Sequence, residues 1–342
     1  MIALDFGSTA FRSLRREQHR LIQRSVAANY LPLEATPKTE RLLRRTKTRY
    51  SKADDYFLAF DQEASDLSDL LQQPCLPVID DGKLQVQDAV SRQAFAMLSQ
   101  AVLPTVESSF DRDAVAIWPI AVDAQTIDFG ESVLQLYGLT PHRLTSGMAI
   151  ALAHLANAQY TGVIVVMGAS GTEITVVHTA REVLRVVLPM GGNLLDRQFA
   201  EAFQCYQYNK TGKQYLDGIS VRNERENLNL LDSDNAEQIN FIEARLESAI
   251  TAMESKIEHE FEGFDWEAIV RKPMQLLISG GLTQTPGCFA KLSEMVNQNC
   301  FPFAIESMDL IDQPAQSQLR GALIAGDLLT TDPQVLPFRR AA

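Results

Sequence analysis

The sequence predicts an α/β fold built from two similar halves. Each half opens with three short apolar runs separated by polar turns, over residues 2–28 and 163–188, and this pattern is typical of an antiparallel meander. Segments with helical periodicity follow both meanders. A supersecondary unit that recurs after about 160 residues indicates two similar domains.

In the first half, a strand over 2–5 ends in Asp5, and the turn Gly7-Ser8-Thr9 leads into return strands over 11–14 and 21–28. Residues 34–68 are polar and charge-rich, and no element is predicted there. Three elements follow: a helix over 88–103, a strand over 114–118 and a helix over about 126–137.

The second half begins with LTSGMAIALAHLANA, which is almost wholly apolar and predicts a buried helix. After the second meander, GGNLLDRQFAEAF predicts an amphipathic helix that starts just past a glycine pair. Apolar residues at helical spacing over 239–261 predict a long helix. A buried strand over 275–279 then runs into Gly280-Gly281, and a final helix is expected over about 315–329.

Composition narrows the functional classes. The chain has 342 residues, is 46% hydrophobic and carries a net charge of −12, which disfavours general affinity for nucleic acid or anionic lipid. The cysteines Cys75, Cys205, Cys288 and Cys300 show no zinc or redox spacing, and the five histidines show no metal-ligand spacing. We expect a cytoplasmic protein, because the first residues already show the pattern of a β-strand and no apolar run is long enough to span a bilayer.

Four strand tips are rich in glycine, namely DFGST, MGASGT, MGGN and ISGG. Small residues at strand tips suit phosphate, because they let backbone N–H groups approach the anion. The P-loop and dinucleotide fingerprints are both absent. Four such tips, two of them heading matched meanders, predict a shared nucleotide cleft.

These segments resemble the actin-like ATPases, which include actin, MreB, FtsA, PilM and the ATPase domain of heat-shock chaperones. ALDFGST and VIVVMGASGTEITVV are similar to the two phosphate loops, LPMGGNLLDRQFAEAF to the segment after the second meander, LLISGGLTQTPGCFAKL to the adenosine loop and DQPAQSQLRGALIAGDLL to the final helix. The resemblance implies two ribonuclease-H-like domains flanking a nucleotide cleft. Domain I would span residues 1–145, with a divergent insertion over about 30–110, and domain II residues 146–342, with the final helix packing back on domain I.

The resemblance also implies ATP and Mg²⁺ as cofactors. Asp5 would face the magnesium, as the one carboxylate on the metal side. The remaining nucleotide contacts would come from Gly7, Ser8 and Thr9 at the β- and γ-phosphates, from Gly168, Ala169, Ser170, Gly171 and Thr172 on the opposite side, from Gly191 and Gly192 at the ribose, and from Gly280, Gly281 and Leu282 along the adenosine.

Two departures from the family pattern lower the expected hydrolysis. Met167 stands where the second phosphate loop usually carries an acid, and Thr145, Ser146 and Gly147 stand where a water-activating residue is usual. A hydroxyl cannot accept a proton near neutral pH as a carboxylate can. We therefore expect nucleotide binding with weak or absent ATP hydrolysis. Glu173 is a substitute acid only if the loop folds differently, and its place at the start of an alternating strand predicts a solvent-facing side chain.

Three functions remain open. The first is an ATP-binding protein of the MreB or chaperone-ATPase type with a cytoskeletal or conformational-switch role, and the second is a nucleotide-free pseudo-ATPase scaffold that binds a protein partner. The third, a metabolite kinase, ranks last because only Asp123 and Asp128 offer nearby acids. Expected partners are further copies of the chain in a filament or another protein.

Two charged segments complete the predictions. The basic cluster Arg41–Arg49 is either a solvated face or a contact for an acidic partner or an anionic membrane. The resemblance to chaperone-like members places Glu224, Arg225 and Asn227 on a helix whose charged face meets the nucleotide base.

Overall fold

The computed structural model describes residues 1–104, 112–209, 211–261, 272–298 and 301–331. Cys300 and the residues after 331 lie outside this part of the chain. The strands are β1 (Ile2–Phe6), β2 (Ala10–Glu17), β3 (Arg20–Ala27), β4 (Asn29–Glu34), β5 (Tyr50–Ala53), β6 (Tyr56–Phe60), β7 (Leu76–Pro77), β8 (Asp113–Ile117), β9 (Thr140–Leu144), β10 (Gly162–Met167), β11 (Thr172–His178), β12 (Arg181–Leu188), β13 (Gln207–Tyr208), β14 (Gln214–Tyr215), β15 (Met274–Ser279) and β16 (Ile305–Leu310).

Helices cover and connect these strands. They are α1 (Pro37–Thr46), α2 (Asp61–Leu71), α3 (Ala89–Val102), α4 (Ala124–Leu136), α5 (Ser146–His154), α6 (Gly192–Phe203), α7 (Gly218–Glu226), α8 (Ala236–Phe261), α9 (Cys288–Gln298) and α10 (Pro314–Thr331). A 3₁₀ turn, Gly281–Gln284, follows β15. In the described residues, no helix is both long enough and apolar enough to cross a membrane.

Two five-stranded sheets share one topology, which confirms the predicted α/β fold of two similar halves. The strand orders are β3-β2-β1-β8-β9 and β12-β11-β10-β15-β16. In each sheet an antiparallel meander is extended by two parallel strands. The carboxyl ends of β1 and β10 therefore occupy equivalent places in the two sheets.

The charge-rich region that carried no predicted element forms a small sheet of its own. Its order is β5-β6-β4-β7, and helices α1 and α2 cover it with a separate core that includes Leu31, Leu43 and Leu67. The apolar positions were missed because the strands are only two to six residues long and alternate with charged helix faces. The basic cluster lies largely on α1, where Arg44 pairs with Glu40, while Arg49 pairs with Asp61.

A pair of helices joins the two large sheets. The predicted apolar helix, α5, is buried almost throughout and packs against β10 and β11, while α10 packs against α5, β1 and β8. Their shared core contains Ala3 and Val115 from the first sheet and Ile164 from the second. The α5–α10 pair thus fixes the first sheet relative to the second. The domain boundary expected near residue 145 stays a prediction.

Replacing Gly321 should loosen this helix pair. A Cβ at Gly321 of α10 would lie 1.8 Å from the carbonyl oxygen of Ala149 in α5, so Gly321→Ala must push the helices apart. We expect a loss of about 1–3 kcal/mol in the free energy of unfolding, as for other overpacked cores, measured by urea denaturation. Gly218→Ala is the matched control, because a Cβ there meets nothing within 4 Å. Equal stability of the two variants would contradict the close packing of α5 and α10.

Candidate functional site

A cleft of about 310 Å³ lies where the tips of the two sheets face each other, a volume within the usual range of small-molecule sites. Most of the predicted nucleotide-binding residues line it together: Asp5, Gly7, Ser8, Thr9, Gly168, Ala169, Ser170, Gly192, Gly280, Gly281 and Leu282. A second cavity, of about 20 Å³, sits in the apolar core beside α8 and has room for little more than a water molecule. The cleft is therefore the candidate site.

Gly171, Thr172 and Gly191 are absent from the described lining. A Cβ at Gly191 would lie 2.4 Å from the backbone nitrogen of Gly171, so glycine is required for the two loops to touch. The Thr172 hydroxyl donates to the carbonyl oxygen of Met190 at 2.6 Å. These residues hold the loop that follows β10 against the start of α6.

Asp5 forms an ion pair at the floor of the cleft. The residue is 4% exposed, and its carboxylate accepts a hydrogen bond from Nη1 of Arg12 at 2.9 Å. The pair follows from the register of the first hairpin, because Asp5 and Arg12 are direct cross-strand partners in β1 and β2. Burial raises the pKa of the Asp5 carboxyl, although Arg12 and the Gly7 N–H oppose the shift.

Two buried polar atoms in residues that line the cleft lack hydrogen-bond partners within the described chain. They are the hydroxyl oxygen of Ser8 and the indole nitrogen of Trp118. A buried donor without a partner is costly, by about 1–3 kcal/mol. Such donors at a cleft wall indicate a site for a ligand rich in acceptor oxygens.

The second loop offers backbone rather than side chains to the cleft. Met167 is 1% exposed and belongs to the core of the second sheet, and the Ser170 hydroxyl donates to the carbonyl oxygen of Ile120. Gly168 and Ala169 use their carbonyl oxygens to accept from Gly192 and Asn193 at the start of α6. The loop is thereby tied to α6, and its small residues keep the wall open to a ligand.

The prediction that Glu173 faces solvent is wrong. Its side chain is 1% exposed and accepts from the backbone N–H of Gly147 at 2.6 Å and from Nε of Arg185 at 2.8 Å. Strand β11 is covered on both faces, so alternation along it does not mean exposure. A carboxylate at the N-terminus of α5 is favoured by the helix dipole, and Glu173 is not among the cleft-lining residues.

Of the three residues at the start of α5, Ser146 lines the cleft and Thr145 caps the helix.

Helix α7 contributes charged residues to the cleft, and the sequence predicts only some of them. Of its three assigned residues, Arg225 lines the cleft, while Glu224 and Asn227 are not in the described lining; Arg222 and Glu226 line it instead. Arg225 is 2% exposed and donates to Asp196 at 2.6 Å and to Thr285 at 3.0 Å. The spacing of Arg222, Arg225 and Glu226 places them on one helix face, which is the signal that could have identified them.

The acids considered for a kinase lie elsewhere. Asp123 caps α4 by accepting from the Thr126 N–H at 2.8 Å, and Asp128 pairs with Arg143 at 3.3 Å. Neither residue is in the described lining of the cleft.

The donor set does not fit the magnesium ion that the resemblance implies beside Asp5. Mg²⁺ is usually held by one or two carboxylates together with phosphates and water. The described lining contains two carboxylates, Asp5 and Glu226, and each is bonded to an arginine. A cation at Asp5 would lie near the Arg12 guanidinium, and unit charges of like sign 4 Å apart repel by about 4 kcal/mol at an effective dielectric constant of 20. No group of three or more potential ligands capable of holding a metal occurs in the described residues.

Two sheets of the same topology, joined by a helix pair and sharing one cleft, define the actin-like ATPase fold. The family model of Volactin matches residues 1–326, and the chain belongs to the Volactin family. No curated protein matches the sequence.

Solved structures agree with this fold at low sequence identity. The "MamK double helical filament" superposes with a TM-score of 0.69 at 15% identity, covering 95% of this chain and 98% of that one. MreB 5 of Spiroplasma citri bound to AMPPNP superposes with a TM-score of 0.68 at 12% identity over 96% of each chain. The same MreB5 bound to ADP gives a TM-score of 0.64 at 13% identity over 96% of this chain and 95% of that one.

Neutralising Asp5 should stabilise the protein at neutral pH. Because the pKa of Asp5 is raised in the folded state, its ionisation costs stability, and this cost grows as pH rises from the ordinary pKa of 3.8 through the raised folded value. We expect Asp5→Asn to have the higher free energy of unfolding at pH 7, with the advantage shrinking as pH falls toward 4. Denaturant melts across this range measure the effect. A less stable variant at pH 7 would show that the Asp5–Arg12 pair outweighs the burial cost.

Proposed function

We propose that this chain is an adenine-nucleotide-binding actin-like protein with weak or absent hydrolysis, which associates with copies of itself. The observation that carries the proposal is the unpartnered Ser8 hydroxyl at the tip of β1, with the glycine-rich loop after β10 also lining the cleft. Anions bind where N–H and O–H donors converge without partners. The phosphates would lie between these two loops.

The charge of the cleft supports an anionic ligand. Its described lining holds Arg12, Arg222 and Arg225 against Asp5 and Glu226, although the chain as a whole carries −12. Asp196 pairs with both Arg222 and Arg225, so the arginines and carboxylates here balance, and the cleft repels an anion less than the acidic chain around it does. A non-polymerising mutant of MamK was solved with AMPPNP, and MreB5 with AMPPNP and with ADP, which supports a nucleotide among the possible anions.

Slow hydrolysis follows from the state of the two carboxylates in the described lining. A general base must be free to accept a proton from the attacking water. Asp5 is bonded to Arg12, and Glu226 accepts from Arg225 at 3.3 Å. Met167 and Ser146 supply no base, so bound ATP would persist.

Loss of the Ser8 hydroxyl should weaken ATP binding. A hydrogen bond to a charged group contributes about 1.5–3 kcal/mol, so we expect Ser8→Ala to raise the Kd for ATP roughly 10-fold or more by calorimetric titration. Ser293→Ala is the matched control, because Ser293 carries another buried unpartnered hydroxyl in α9, outside the described cleft lining. Failure of the wild-type protein to bind millimolar ATP would overturn the proposal in favour of the nucleotide-free scaffold.

Phosphate release and assembly test the rest of the proposal. We expect release far below the rates of about 1–1,000 s⁻¹ typical of enzymes, and sedimentation of the protein with ATP that exceeds sedimentation without nucleotide. Self-association is proposed because the superposed MamK structure is a double helical filament. A protein that stays monomeric both with ATP and without nucleotide would contradict this part of the proposal.

A further inference from the structure

We infer that the cleft binds the polyphosphate of its nucleotide without magnesium, and that Arg12 supplies the positive charge a metal would otherwise bring. This inference rests on the proposed nucleotide binding. It starts from the misfit between the cleft's donor set and Mg²⁺, whose expected ligand, Asp5, is already neutralised by a guanidinium 2.9 Å away.

Arg12 is placed to reach a phosphate at the first loop. Its Nη1 lies 3.5 Å from where a Cβ on Gly7 would be, and the residue lines the cleft beside Ser8 and Thr9. The side chain is 23% exposed, so the guanidinium faces the cleft from a partly desolvated position, where charge-assisted bonds to phosphate are strong.

The guanidinium also has donors to spare. Arginine carries five N–H donors, and within the described chain the Arg12 side chain bonds to Asp5 through Nη1. Arg225, in contrast, is held by Asp196 and Thr285, and Arg222 by Asp196 and Asn193. Arg12 is therefore the cleft arginine with the most freedom to bond a new anion.

Asp5 then has the opposite role to a metal ligand. With no dication between them, its carboxylate competes with the phosphates for Arg12 and repels them. Removing the charge of Asp5 should strengthen ATP binding in this arrangement, whereas it should weaken binding wherever Asp5 holds a magnesium ion. The sign of one substitution thus separates the two arrangements.

The test is calorimetric titration of the full chain with ATP in Mg²⁺ and in EDTA at matched ionic strength. We expect the wild-type Kd values in the two buffers to agree within about threefold, because bidentate and charge-assisted arginine contacts replace the metal. Arg12→Gln should weaken ATP binding in EDTA by roughly tenfold or more, while Arg12→Lys keeps most of the affinity. Asp5→Asn should bind ATP in EDTA at least as tightly as the wild type.

Two controls separate loss of contact from loss of structure. Arg16→Gln changes an arginine on the same strand that is 61% exposed and pairs with Asp327, so its ATP affinity should match the wild type. Adenosine lacks phosphates, and its affinity should be the same for wild type and Arg12→Gln. If Arg12→Gln does not fold, the titrations of Asp5→Asn and Arg12→Lys still distinguish metal-free binding from binding through a magnesium ion.

The titrations distinguish failure of metal-free binding from failure of nucleotide binding itself. A wild-type affinity that falls more than about tenfold in EDTA, or an Asp5→Asn variant that loses ATP binding, would overturn the metal-free arrangement and leave nucleotide binding intact. No binding of ATP in either buffer would overturn the nucleotide proposal itself, and the present inference with it.

Discussion

The close packing of α5 against α10 is the constraint on which the rest of the molecule depends. Gly321 lets the α10 backbone touch the carbonyl of Ala149, and the shared core joins residues of both large sheets. Because the helix pair contacts β1 and β8 on one side and β10 and β11 on the other, it sets the positions of the strand tips. A cleft lined by two glycine-rich loops is the consequence.

The cleft contains buried polar groups whose burial lowers the stability of the fold. Asp5 is buried although burial raises the pKa of its carboxyl, and the Ser8 hydroxyl and Trp118 indole are buried without described partners. Sites that must bind charge commonly carry such groups. Other buried charges have partners, as Glu173 and the Asp196–Arg225 pair show. The described lining of the cleft thus brings together a buried carboxyl with a raised pKa and two unpartnered donors.

Local sequence signals predicted the repeated meanders, the apolar helix α5 and the glycine-rich strand tips that line part of the cleft, since each depends on residues adjacent in the chain. The small sheet around Leu31 and Leu43 was missed because its strands are too short to show periodicity. Burial of Glu173 could not be predicted, since it depends on Arg185 and on the backbone of Gly147. Arg12 was missed although the hairpin register pairs it with Asp5, a relation that can be counted from the turn in the sequence.

The decisive measurement is a structure of the protein determined with ATP in the presence of EDTA. We expect the phosphates to lie between Ser8 and the loop at Gly168, with a phosphate oxygen within hydrogen-bond distance of Arg12 and the Asp5–Arg12 contact lengthened or shared. Phosphates placed away from the first loop, or an Arg12 side chain still bonded only to Asp5, would contradict this expectation.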